Sequence, residues 1–171
     1  SGLLAVENPA LSSPGLAFLL ATIAHFGEDG YQAYWQSLQD NDVVIVSDWE
    51  TAYYTNFSAS SGNGPQPMVV SYASSPAAEV IYAEVELDEA PTASIIGADT
   101  CFRQIEFVGI LKGTANRALA EKFVDFMLGQ TFQADVPAQM FVLPVNSQVT
   151  LADVFADNIQ QPEQPASLDP A

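Results

Sequence analysis

Short apolar, β-branched runs alternate along this chain with stretches whose apolar residues recur at helical spacing. Leu3 to Val6 reads as a buried strand ending at Glu7-Asn8-Pro9. Ser12-Ser13-Pro14-Gly15 then opens a helix. Either serine is a natural cap, and Pro14 stands at the first helical position, where its missing N–H costs nothing. Leu16 to Phe26 continues that helix and Gly27 ends it. A second helix begins at Glu28-Asp29-Gly30, with Tyr31, Tyr34, Trp35 and Leu38 at helical spacing. Val43 to Val46 has buried-strand character. Ser47 or Asp48 caps a third helix that runs to about Phe57.

Residues 58–67 are turn formers throughout and predict an exposed loop. Met68 to Tyr72 is the next strand, and Ser74-Ser75-Pro76 repeats the serine-then-proline helix start, leading into Ala77 to Ala83. Ala93 to Gly97 and Ile105 to Leu111 read as strands. Thr114 to Met127 is a helix with Leu119, Phe123, Phe126 and Met127 on one face. A short helix follows at Thr131 to Val136, and Phe141 to Val145 is extended. Strands alternating with helices make the class α/β with a largely parallel sheet.

Composition narrows the function. Of 171 residues, 49% are hydrophobic and 11% aromatic, which excludes a disordered chain and allows a sizeable core. Four Lys and Arg stand against 21 Asp and Glu, a net charge of −17. Binding to phosphate backbones or anionic membranes takes clustered bases, so nucleic acid is excluded as a partner. A cationic small ligand, or solubility alone, accounts for such acidity. No run reaches the ~18 apolar residues that a membrane helix needs. The opening residues lack the charged and apolar regions of an intact signal peptide.

Cys101 and His25 are single. One cysteine allows no intrachain disulfide and no cysteine-based zinc site. His25 reads as the closing turn of an apolar helix, and Cys101 as a buried, inert thiol. Glu84, Glu86, Asp88 and Glu89 read as a solvated face rather than a metal site. No dinucleotide, P-loop, zinc-protease or nucleophile-elbow motif occurs.

Three places join a strand end to a helix start: Asn8 to Gly15, Ser47 to Glu50 and Ser71 to Pro76. In a parallel sheet such ends line the ligand crevice, and helix N-termini there favour anions. Trp49 and Tyr72 lie at two of them, and Phe141 and Tyr53 are candidates to join. Aromatic faces hold flat cationic rings. The same spacing also suits core residues.

Four segments together resemble a known family: ENPALSSPGLAFLLATIAHFGEDGYQAYWQSL, VVIVSDWETAYYTNF, MVVSYASSPAAEV and QIEFVGILKGTANRALAEKFVDFMLGQTFQADVPAQMFVLPVN. In order and spacing they are similar to the thiamine-binding branch of the extracellular solute-binding proteins of bacterial ABC importers. The S-x-P-G-x-x-F/L motif is shared with iron, sulfate and polyamine relatives. D-W-E-x-A-Y with V-S-Y-x-x-S-P is narrower and points to thiamine. The resemblance covers nearly the whole chain but about the second half of a typical member.

The resemblance implies a periplasmic-binding-protein-like lobe, a mostly parallel sheet with helices on both faces, in an incomplete two-lobed protein. Residues 1–97 would form the second lobe, 98–159 hinge-returning strands and helices, and 160–171 a linker or truncated tail. It implies a non-enzymatic receptor for thiamine or thiamine phosphate that closes about a hinge and docks on an ABC permease. Ser12 and the helix start at Ser13 would face the phosphate or hydroxyethyl end, and Trp49 and Tyr72 the rings. Phe141 stands where the family usually has Trp, and Ala78 where many members have Tyr. The family's first-lobe ligand groups, an acid among them, are absent. The location implied is periplasmic or extracellular, free or lipid-anchored, and no cofactor or metal is required.

A polyamine or iron receptor is the alternative. Ferric sites in that branch use two adjacent tyrosines after the strand read here as VVSYA, where only Tyr72 stands. Tyr53 and Tyr54 are adjacent but in a helix, and are expected to point apart. A hydrolase using Ser12 or Ser74 with His25 is weaker, because His25 lies at the far end of its helix from Ser12. The chain opens in a strand and stops at Ser167 to Ala171, a helix cap without its helix. Both ends are therefore expected to abut missing structure, leaving apolar surface for a second lobe or a second copy.

Overall fold

The computed structural model describes residues 1–59, 64–98 and 100–169, so the middle of the predicted 58–67 loop and the last two residues lie outside the described residues. Three parallel strands form the sheet in the order β2-β1-β3: β1 at Leu4–Glu7, β2 at Val44–Val46 and β3 at Met68–Val69. Ala5 and Val6, at the centre of the sheet, are fully buried. Because the strands are parallel, their carboxyl ends lie along one edge, and the chain leaves each of them towards a helix.

Helix α1 spans Ser13–Phe26, with Ser12 as its N-cap and Pro14 in its first turn. Gly27, at φ 73°, ends it and donates its N–H to the Ile23 carbonyl. α2 (Tyr31–Asp40) folds back against α1. The Trp35 Nε1–H donates to Thr22 Oγ1 at 2.9 Å, Phe18 meets Trp35 edge-on, and Phe26 stacks on Tyr34 at 4.6 Å. The apolar face predicted for α2 is thus spent on α1.

Gly15 fixes how closely α1 approaches the sheet. A Cβ there would lie 2.4 Å from the Glu7 carbonyl oxygen. Backbone cannot yield that far without moving the helix. Gly15→Ala is therefore expected to lower stability by about 2 kcal/mol, measured by urea denaturation, typical of a side chain forced into packed structure.

Four further helices follow: α3 at Ser75–Ile81, α4 at Arg117–Leu128, α5 at Gln130–Met140 and α6 at Asp153–Asn158. α3 packs on α6, and α4 on α5. No helix among the described residues is long and apolar enough to cross a membrane.

Several expectations are corrected. Ala93 to Gly97 and Ile105 to Leu111 are not strands. Apolar, β-branched composition fits a pleated surface but supplies no neighbour, and without a neighbour's donors and acceptors no ladder forms. Ile95, Ile105, Phe107 and Leu111 are all exposed, Phe107 by 89%. The third strand is shorter than expected, although Val70 still donates its N–H to Ala5. The helix expected at Thr131 to Val136 is longer and contains Pro137. The helix expected after Asp48 turns π-helical at Thr51–Asn56. Gln66, expected in an exposed loop, is buried and exchanges backbone hydrogen bonds with Asn56 and Ser58.

Candidate functional site

Helical structure begins directly after β2. Asp48 Oδ1 accepts the Thr51 N–H at 2.8 Å, and Ser47 Oγ donates to the other Asp48 oxygen. These bonds hold the Asp48 carboxyl below its ordinary value, the one from Ser47 most of all. Trp49 is thereby placed at the carboxyl end of β2. It is half-buried, and its Nε1–H donates to Ser71 Oγ at 2.9 Å. Ser71 is in turn 2.7 Å from Ser75 Oγ at the start of α3. One chain of polar contacts therefore ties the end of β2 to the end of β3.

The π-helical turn decides what surrounds Trp49. The Phe57 N–H bonds back five residues to the Ala52 carbonyl. The wider turn brings both following tyrosines to the indole, Tyr53 stacked at 4.8 Å and Tyr54 edge-on at 5.5 Å. The expectation that these two point apart is corrected. α-Helical spacing separates neighbours by 100°, and a wider turn relaxes that. Tyr72 completes the group at 6.0 Å from Trp49.

Phe141 arrives from the other side. Expected to be extended, it is left-handed instead, at φ 55° and ψ 28°, where it closes α5. The segment after it is held by Gln133, a buried side chain that donates to the Met127 carbonyl and accepts the Val145 N–H. Phe141 packs between Tyr82 and the buried Phe155 of α6.

Together these residues enclose a cavity of about 440 Å³, lined by Trp49, Tyr53, Tyr72, Glu79 and Phe141 among others. That is the size of a small-molecule site. Of the five residues singled out from sequence, three therefore meet in one place: Trp49, Tyr72 and Phe141. Ala78, where a tyrosine was expected from the family pattern, also lines it. Ser12 and Ser13 do not. Ser13 borders a smaller hollow of about 270 Å³ along the flank of α1, with Leu16, Phe102 and Arg103. The Ser12 side chain makes no capping hydrogen bond.

Sequence reasoning missed Glu79, whose Oε1 accepts a short hydrogen bond from the Tyr53 phenol. Burial first, and Glu79 next, push the Tyr53 phenol above its ordinary value. Burial, with the charges of Glu7 and Glu106 behind it, does the same to Tyr72. Both phenols stay protonated at physiological pH. His25 is exposed at the end of α1, with Phe26 edge-on to it. The four acids Glu84 to Glu89 are exposed, and among the described residues no group of three or more His, Cys, Asp or Glu is placed to hold a metal.

Glu7 ends β1 fully buried, and among the described residues neither carboxyl oxygen has a hydrogen-bond partner. Burial pushes its pKa up to about 7. Its own backbone N–H lies near enough to offset only part of this, and the Asp48 charge adds to the rise.

Comparison with known proteins agrees with this architecture. The chain is 29% identical over 165 residues to the thiamine-binding periplasmic protein of Escherichia coli (strain K12), covering 96% of this chain and 47% of that protein. It is 27% identical over 167 residues to the thiamine-binding periplasmic protein of Brucella suis biovar 1 (strain 1330), covering 96% and 46%. Among solved structures it is similar in fold to a periplasmic thiamin binding protein, with a TM-score of 0.75 at 24% identity, over 96% of this chain and 48% of the other. The chain spans about half the length of the curated relatives it matches. A sequence profile of the bacterial extracellular solute-binding proteins matches residues 1–168. Since that match leaves neither the sheet nor the aromatic cavity outside it, the chain belongs to the bacterial extracellular solute-binding protein family.

Proposed function

We propose that this chain is the ligand-binding half of a receptor that captures thiamine, or a phosphate ester of it, for an ABC importer. The observation that carries the reading is the cavity at the carboxyl edge of the sheet, walled by Trp49, Tyr53, Tyr72 and Phe141. A flat cationic ring gains roughly 0.5–2 kcal/mol from each well-placed aromatic face. A linear polyamine presents ammonium groups to those faces but gains no ring-on-ring stacking. The names of the sequence relatives support thiamine in the same direction.

In this reading residues 1–97 carry most of one lobe and 98–159 return through the hinge. Closure of a second lobe buries the ligand, and the closed form docks on the permease. The protein binds and releases its solute without transforming it, outside the cytoplasmic membrane. The full-length protein should be stabilised against heat by thiamine or thiamine monophosphate, and not by putrescine or ferric citrate. Stabilisation by putrescine or ferric citrate alone would contradict the reading.

Ser12 stands outside the aromatic cavity, so it tests whether an anionic end of the ligand reaches the start of α1. Its hydroxyl makes no cap bond and stands at the N-terminus of the 14-residue α1, where a helix dipole favours an anion by roughly 0.3–2 kcal/mol. Ser12→Ala should cost thiamine monophosphate about tenfold more affinity than it costs thiamine. Equal losses in calorimetry would leave Ser12 without a part in phosphate recognition.

A further inference from the structure

Among the described residues that line the aromatic cavity, Glu79 is the one acidic or basic side chain. It stands on α3, one position after Ala78, and its carboxylate accepts the Tyr53 hydrogen bond. Tyr53 is itself buried and stacked on Trp49. A carboxylate held this way has lost the rotational freedom of an ordinary surface glutamate. Among the described residues no hydrogen bond reaches its second oxygen, and none of the four basic residues lines the cavity. The single salt bridge among the described residues lies elsewhere, between Arg117 and Glu121.

We propose that Glu79 is a specificity-determining residue that selects a cationic ring over a neutral ring of the same shape, with Tyr53 as the positioning residue that aims its carboxylate. The proposal rests on the thiamine reading and adds to it a source of charge selectivity within this half of the protein. Stacking alone discriminates cation from neutral ring only weakly, because the area buried is the same. A fixed carboxylate at the cavity wall adds a Coulomb attraction that the cationic ring receives and the neutral ring does not.

The test uses the full-length protein with two compounds, thiamine and its isostere bearing a neutral thiophene in place of the thiazolium ring. Wild-type protein should prefer thiamine. Glu79→Gln keeps the shape and still accepts the Tyr53 bond, so it should fold normally. It should lose about tenfold in affinity for thiamine, the loss of one charge-assisted contact, and little for the isostere. Tyr53→Phe, which keeps the ring and removes the hydroxyl that aims Glu79, should narrow the same preference by a smaller factor. Unchanged thiamine affinity in Glu79→Gln, or equal losses for the two compounds, would overturn the assignment while leaving the thiamine reading standing. Wild-type protein that binds neither compound would contradict the thiamine reading and the assignment with it.

Discussion

Replacing Glu7 by glutamine is expected to stabilise the protein by about 3 kcal/mol near pH 8 and by almost nothing near pH 4. Glu7 is fully buried with no partner for either carboxyl oxygen among the described residues, and its pKa rises from an ordinary 4.5 to about 7. A raised folded pKa means that the folded state holds the proton more tightly than the unfolded one. Its contribution is therefore complete below about pH 4.5 and is lost as pH rises through about 7, at about 1.4 kcal/mol for each unit of difference. Asp48 acts in the opposite sense. Its lowered pKa gives stability that is present above the ordinary value of 3.8 and lost as pH falls further. The two windows do not overlap, so the Glu7 effect is read above about pH 4.5 with no contribution from Asp48. Urea denaturation of wild-type and Glu7→Gln protein across this range measures it. The two curves should coincide in acid and separate steadily towards pH 8. Parallel curves would mean that Glu7 finds a partner, a bound water for instance, that the side chains around it do not supply.

The second large effect concerns Trp49. Trp49→Ala in the full-length protein should weaken thiamine binding by about 10- to 100-fold, from lost area and lost cation–π attraction worth about 1.5–3 kcal/mol together. The indole does more than face a ligand. It stacks on Tyr53 and bonds to Ser71, so its removal also loosens the link between the ends of β2 and β3. Trp49→Phe separates the two roles. It keeps an aromatic face but gives up the bond to Ser71, and should cost thiamine only a few-fold in affinity. If Trp49→Ala leaves affinity unchanged while lowering stability, Trp49 belongs to the packing and not to the site.

Much of this fold was legible because local rules and tertiary packing agree. β1, α1 and the start of α3 follow from apolar runs and serine-proline starts, and the structure keeps them within a residue or two. The cavity was legible in part, since aromatics at the ends of parallel strands converge by topology alone. What escaped depended on geometry that no periodicity encodes. Tyr53 and Tyr54 flank Trp49 because the helix widens by one residue per bond, and nothing in TAYYTN announces a π turn. Phe141 enters the cavity through a left-handed backbone, which an aromatic residue seldom adopts and an extended reading of FVLPV does not anticipate. Glu79 was hidden by abundance, one carboxylate among 21 acids, although its four-residue offset from Ser75 was a usable clue that the two share a face of α3. Ile105 to Leu111 shows the converse. Its pattern is that of a strand, and only the lack of a paired neighbour keeps it from being one.

Calorimetric titration of the full-length protein with thiamine tests the central claim most directly. The account predicts saturable binding at one site per chain, with quenching of tryptophan fluorescence as the cation settles against Trp49 and with the quench absent in Trp49→Phe. No saturable heat with thiamine or its monophosphate, or full-strength binding that leaves the Trp49 fluorescence untouched, would contradict it.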